Sequence, residues 1–213
     1  MRCCQSTRSS LVVASPEWAT EPGKAKVHFT LGRARGKVAA SDVPGGKRLT
    51  FTSANDAFDL TYTIDVLEGN RVVLDVRGTL RAEGPAVVEY SAGYLSAVLL
   101  AGQPYQASTV EGERSGEMPF SGSGTEPRAA LVAPPLRRLR VDSRVGALTV
   151  ETAAEDPALD LFDARGVPSP WLQESPTFWL GTLAAPVEGG KSFHSRVTIT
   201  VDPLDPAAQP RRP

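Results

Sequence analysis

Apolar and polar residues alternate along much of this chain with a period of two. That is the spacing of a strand that shows one face to a core and the other to water. The longest run is Phe58, Leu60, Tyr62, Ile64 and Val66, interleaved with Asp59, Thr61, Thr63 and Asp65. The turn-forming triplet Glu68-Gly69-Asn70 follows, and Val72, Leu74 and Val76 resume the alternation with Asp75 and Arg77 on the opposite face. The pattern predicts a long β-hairpin, apolar on one side and rich in Thr and Asp on the other. Such a sheet is covered on one face only.

The same reading extends in both directions. Leu11 to Ala14 is a short apolar run. Val27, Phe29 and Leu31 alternate with Lys26, His28 and Thr30, which puts His28 on the wet side. Ala34 to Ala40 is a further short strand. Leu49 and Phe51 point inward on the next one, after the Pro44-Gly45-Gly46 turn. Val87 to Tyr90 is strand, and Ser91 to Gln106 fits either a buried strand or a short helix. Thr109 to Arg128 is a long Gly/Ser/Glu-rich excursion of the kind that is functional or disordered. Leu139 and Val141, then Leu148 and Val150, predict a second hairpin around Val145-Gly146-Ala147. A last long strand runs from Ser192 to Val201, with Phe193, Val197, Ile199 and Val201 on one face and His194, Arg196, Thr198 and Thr200 on the other. Roughly eleven or twelve strands are too many for one open sheet. The expected fold is all-β: a large two-sheet antiparallel β-sandwich with few or no helices. Residues 1–10 read as a disordered tip, 11–202 as a single sandwich domain, and 203–213 as a proline-rich tail or linker.

Composition agrees with this. The chain has 213 residues with 19 Gly and 18 Pro, so turns are frequent. Hydrophobic residues make up 41%, enough for a sizeable core. The net charge of −1 argues against a nucleic-acid partner, because phosphate binding needs a basic surface. No apolar run reaches the ~18 residues of a spanning helix, so no membrane span is expected. Cys3 and Cys4 are adjacent in the polar tip and read as free thiols. The compartment stays open: secreted or periplasmic if a signal peptide precedes this start, cytoplasmic otherwise.

Candidate chemistry is sparse. No serine sits in a G-x-S-x-G elbow, and Gly122-Ser123-Gly124 lacks the lysine of a phosphate loop. His28 has no neighbouring His, Cys or acidic cluster at ligand spacing. Asp59, Asp65, Asp75 and Arg77 share a polar face and read as solubilising residues. No catalytic residue, metal or cofactor is assigned. The stretch Leu161 to Gly181 is richer. It carries Trp171, Gln173, Glu174, Arg165 and Asp163 on a path stiffened by prolines. Indole and phenol rings stack on the C–H faces of sugars, while amide, carboxylate and guanidinium groups hold the hydroxyls. Trp171, Gln173, Glu174, Arg165 and Asp163 are therefore candidate ligand-binding residues, with Tyr94 and Tyr105 as further rings. Trp18 is also available. The competing reading makes this stretch a plug for one end of the sandwich. Alternation in T-F-W-L-G buries either Phe178 and Leu180 or Thr177 and Trp179.

Four segments carry a family likeness: V-G-A-L-T-V at Val145 to Val150, L-F-D-A-R-G at Leu161 to Gly166, F-W-L-G at Phe178 to Gly181, and the closing S-R-V-T-I-T-V. Together they resemble β-sandwich domains attached to bacterial glycoside hydrolases, of the galactose-mutarotase-like supersandwich type. The resemblance implies a non-catalytic, carbohydrate-associated sandwich that binds or positions a polysaccharide for a linked catalytic domain. Catalytic relatives of that type use histidines and a carboxylate on a concave face, and no such role is carried onto His28 or His194. Two other readings stand beside it. One is a structural or protein-interaction sandwich of a cell-envelope assembly. The other is a mutarotase-type sugar enzyme, which requires a histidine facing a carboxylate in a pocket.

Overall fold

The computed structural model describes residues 11–120, 130–165 and 177–203. Fourteen strands run through them: β1 (Leu11–Ala14), β2 (Val27–Thr30), β3 (Gly36–Val43), β4 (Gly46–Ala54), β5 (Phe58–Leu67), β6 (Arg71–Leu80), β7 (Pro85–Ser96), β8 (Pro104–Thr109), β9 (Gly112–Glu117), β10 (Leu136–Ser143), β11 (Gly146–Thr152), β12 (Asp160–Asp163), β13 (Thr177–Glu188) and β14 (Ser192–Pro203). A single helical turn, α1 (Ala97–Leu100), follows β7, so the ambiguous stretch is strand first and helix second. The strands form two antiparallel sheets. Five strands lie in the order β12-β13-β7-β1-β2, and nine in the order β3-β4-β5-β6-β14-β11-β10-β8-β9. The all-β sandwich expected from the alternation is what forms.

The long hairpin is β5–β6, joined through Gly69 and Asn70 with φ of 73° and 53°. Glycine and asparagine are the residues that tolerate this left-handed region. The inner face of β5 meets the smaller sheet. Phe58 packs on Phe29 of β2 with ring centroids 5.3 Å apart, and Tyr62 meets Tyr90 of β7 edge-on at 6.2 Å. Gly78 of β6 lets Phe58 lie flat, since a Cβ there would sit 2.0 Å from the ring. One hydrophobic cluster joins these residues with Leu80, Val88, Leu139, Val150, Phe178 and Val197. A smaller one sets Phe162 flat on Trp179 at 4.6 Å, with Tyr94 and Leu183 beside them. Phe178 and Trp179 are both buried, on opposite faces of β13.

Several residues depart from the simple alternation. The Gly/Ser/Glu-rich excursion is not all loop, because Gly112–Glu117 forms the edge strand β9 on β8. Val27 is exposed because the β1–β2 register shifts between Val13 and Ala14. Leu49 and Val66, expected inward, are 46% and 53% exposed. They lie where the nine-stranded sheet runs past the five-stranded one. Conversely, Asp65 and Val73, on the face expected to be wet, are both buried. Asp65 is no solubilising residue: it is held in a bidentate ion pair by Arg48, with Nε–Oδ1 at 2.6 Å and Nη2–Oδ2 at 2.7 Å.

Candidate functional site

The outer face of the nine-stranded sheet gathers a group of charged strand residues. The register sets Thr63 of β5 across from Asp75 of β6, and Asp75 across from Arg196 of β14. His194 lies one step along, across from Arg77. Every one of these positions is the polar half of an alternating strand, so sheet pairing alone collects them. Arg77 grips Asp75 through Nε–Oδ1 at 2.9 Å and Nη2–Oδ2 at 3.3 Å.

His194 is the centre of the arrangement. Its Nδ1 lies 2.8 Å from Oδ1 of Asp156, and its Nε2 lies 3.4 Å from Oδ1 of Asp75. The Nε2 atom is shielded from solvent and its approach to Asp75 falls short of hydrogen-bond geometry. Asp156 comes from the connection between β11 and β12, and its carboxylate is almost wholly buried. Its other oxygen accepts the Arg196 backbone N–H at 3.0 Å. Arg137 secures the same connection, donating from Nη1 to the carbonyls of Ala153, at 2.8 Å, and of Asp156. Burial acts to raise the Asp75 carboxyl, but the hydrogen bond and charge of Arg77, joined by His194, outweigh it and hold the group below the ordinary carboxylate range. Asp65 is held below that range chiefly by its hydrogen bond to Arg48.

Beside His194 opens a cleft of about 690 Å³, within the range of small-molecule sites. Arg137, Asp156, Asp160, Thr182, Phe193 and His194 are among the residues lining it. Asp160 accepts the Leu183 backbone N–H at 3.1 Å, and burial pushes its carboxyl above the ordinary value against that bond. The cleft thus offers fixed acceptors, an imidazole and an apolar ring. Among the described residues, no three His, Cys, Asp or Glu side chains are placed to hold a metal ion. No helix among them is long and apolar enough to cross a membrane.

No family model matches the sequence, and no curated protein matches it. Solved structures do match in fold. A GalM/aldose epimerase homologue from C. elegans superposes with a TM-score of 0.54 at 12% identity, over 83% of this chain and 71% of that one. The Slr1438 protein from Synechocystis sp. PCC 6803 gives a TM-score of 0.50 at 15% identity, over 79% of this chain and 66% of that one. The fold is galactose-mutarotase-like. This agrees with the supersandwich architecture that the four sequence segments resemble.

Within this mutarotase-like sandwich the residues expected to bind ligand fall in different places. Trp171, Gln173 and Glu174 lie outside the described residues. Asp163 and Arg165 are together, and their polar atoms face each other and the backbone. Arg165 donates to Asp163 through Nε and Nη2 at 2.8 and 2.7 Å, and to the carbonyls of Phe120 and Pro119, both at 2.7 Å. Its guanidinium carbon lies 4.7 Å from the Phe178 ring centroid. The pair clamps the segment after β9 onto β12 and β13. Tyr94 packs against Trp179 and Phe162 in the five-stranded sheet, whereas Tyr105 packs on the main core in the nine-stranded one. The two rings do not share a sheet. Trp18 donates from Nε1 to Glu89 at 2.9 Å. The sequence alone does not single out Asp156, and it places His194 only on the polar face of the last strand. The available signal was that two alternating strands, one carrying Asp75 and Arg77 and the other His194 and Arg196, both expose acid–base residues at a spacing of two.

Proposed function

We propose that this chain is a carbohydrate-associated sandwich that binds or positions a saccharide at the His194 cleft without turning it over, in service of a linked glycoside-processing domain. The observation that carries this reading is the placement of His194 between two carboxylates. Each ring nitrogen faces a carboxylate, Nδ1 at 2.8 Å from Asp156 and Nε2 at 3.4 Å from Asp75, so the imidazole is part of a pre-positioned polar wall. Sugar hydroxyls require such pre-positioned groups, because a wall that need not reorganise loses less on binding. The fold of an aldose epimerase homologue supports a saccharide over other polar ligands. Trp171, Gln173 and Glu174 remain proposed as a second contact surface.

A second reading, sugar anomerisation, is favoured by one specific feature: a histidine beside two carboxylates in an open cleft. One experiment separates the two. Protein-observed NMR with a panel of aldoses and neutral and acidic oligosaccharides should shift the amides of Asp156, Thr182 and His194. Proton NMR of freshly dissolved α-anomers, in the same samples, should show interconversion at the buffer rate. Accelerated interconversion that His194→Ala abolishes would establish the enzyme instead. A folded sample in which no saccharide shifts any cleft amide would refute both.

A further inference from the structure

The two ends of the nine-stranded sheet are treated differently. At one end, β9 reads G-E-R-S-G-E, with charges at Glu113, Arg114 and Glu117. Charged side chains are how natural edge strands discourage pairing with another chain. At the other end, β3 reads G-K-V-A-A-S-D-V, eight residues long, with Val38, Ala39 and Ala40 uncharged at its centre. Among the described residues β3 pairs only with β4, so one side of its backbone presents an open row of N–H and C=O groups. Seven of its eight residues are exposed, and Val38 is 72% exposed. The apolar surface continues inward from this edge. Val38 lies beside Phe51 and Ala40 beside Leu49 in the register, and Leu49 lies beside Ile64. This strip belongs to the core-facing side of the sheet at the end that the five-stranded sheet does not cover.

We infer that β3 is the seat of an isologous dimer, in which a second copy of this chain adds its own β3 antiparallel and the uncovered strips of the two copies join. The occupant follows from the strand itself. A two-fold axis perpendicular to the sheet keeps inner faces on one side, which requires residues of like parity to oppose each other. Centred on Ala39, the register sets Val38 against Ala40 of the second copy, Lys37 against Ser41 and Gly36 against Asp42. Small and apolar groups then meet on the inner face. The two Lys37 side chains stand roughly four residues apart along the ladder, beyond a Debye length of about 8 Å at physiological salt. Asp42 already has Lys47 of its own chain as partner. The alternative of β3 on a neighbour's β9 would oppose apolar residues with charges. It would also leave an open edge on each copy and propagate as a filament, whereas the β3–β3 contact closes.

An edge-to-edge contact of this length lies at the small end of specific interfaces, below about 1,200 Å², so the expected dissociation constant is on the order of 10 µM. Sedimentation equilibrium should show a monomer–dimer transition in that range. Val38→Lys alters a side chain that is mostly in solvent, so the monomer keeps its melting temperature while dimerisation weakens at least about tenfold. Ala39→Cys, with Cys3 and Cys4 changed to Ser, places two thiols across the axis at about 4.5 Å between Cα atoms. That suits a disulfide, so diamide should cross-link it quantitatively. A wild-type chain that remains monomeric at ~200 µM, well above the expected constant, overturns the inference. So does a dimer that Val38→Lys leaves intact or that Ala39→Cys fails to trap.

Discussion

Truncating Asp156 should both destabilise the fold and open the cleft. Its carboxylate has two partners, the His194 Nδ1 at 2.8 Å and the Arg196 backbone N–H at 3.0 Å, and almost none of it reaches solvent. Asp156→Ala removes a charge-assisted interaction worth about 1.5–3 kcal/mol and leaves a shielded backbone N–H unpaired, at about 1–3 kcal/mol. The two losses share one side chain and do not add in full, so the expected cost is about 2–4 kcal/mol. For a chain of this size each kcal/mol moves the melting temperature by about 2–4 °C. Asp156→Asn keeps an oxygen for the Arg196 N–H and loses the charge facing His194, so it should cost roughly half as much. Urea denaturation at pH 7 measures both. Arg137 holds the backbone of the same connection, so the folded fraction of Asp156→Ala should still show the connection attached but the His194 imidazole resonances shifted. A cost under about 0.5 kcal/mol would refute the reasoning, since a buried carboxylate with two real partners cannot be deleted that cheaply.

The remaining predictions concern charge and packing. Asp65 and Asp75 are held below their ordinary value of 3.8, so their folded form binds fewer protons than the unfolded chain. Their stabilisation is fully present above that value and is lost as pH falls through the depressed folded values; urea midpoints between pH 6 and pH 2 should drop, and Arg48→Ala should flatten the drop. The Tyr90 hydroxyl is fully buried and, among the described residues, makes no well-formed hydrogen bond, with only the Tyr62 hydroxyl near it, so Tyr90→Phe should be neutral or stabilising by up to about 1 kcal/mol in urea. Arg165→Ala strips the buried Asp163 of its counter-charge and should cost about 3–5 kcal/mol, and Arg165→Lys should rescue little, because an ammonium cannot reproduce the forked pairing.

How much of this was legible before the structure depended on the range of the interactions. The β5–β6 and β10–β11 hairpins could be read because alternation and turn residues are local signals, and both form with the expected partners. The pairing of β14 with β6 and β11 could not, since it joins strands far apart in sequence through backbone bonds that leave no residue-level code. The His194 site depends on that pairing and on a connection that returns Asp156 to the sheet. A local search therefore favoured the ring- and amide-rich stretch after Leu161, where chemistry is crowded along the chain. Arg165 and Asp163 are expected there as polar groups for a sugar, whereas the structure turns them onto each other and onto the Pro119 and Phe120 carbonyls.

The most informative residues are those that break the alternation. A strand residue on the apolar face should be buried and one on the polar face wet, if the sheet is covered on one side and flat. Asp65 and Val73 are buried on the outer face, although neither sheet lies over them. Among the described residues, Arg48 is paired with Asp65 on that face. Val38, Leu49 and Val66 are exposed on the inner face, where the second sheet ends. The first departure leads to the Asp75–His194–Asp156 arrangement and the second to the β3 edge. Burying a charge and exposing an apolar strip both cost stability. Local rules in a folded chain are broken mainly where something other than folding is served, so the two departures are where the proposed ligand and the proposed second copy of the chain would sit.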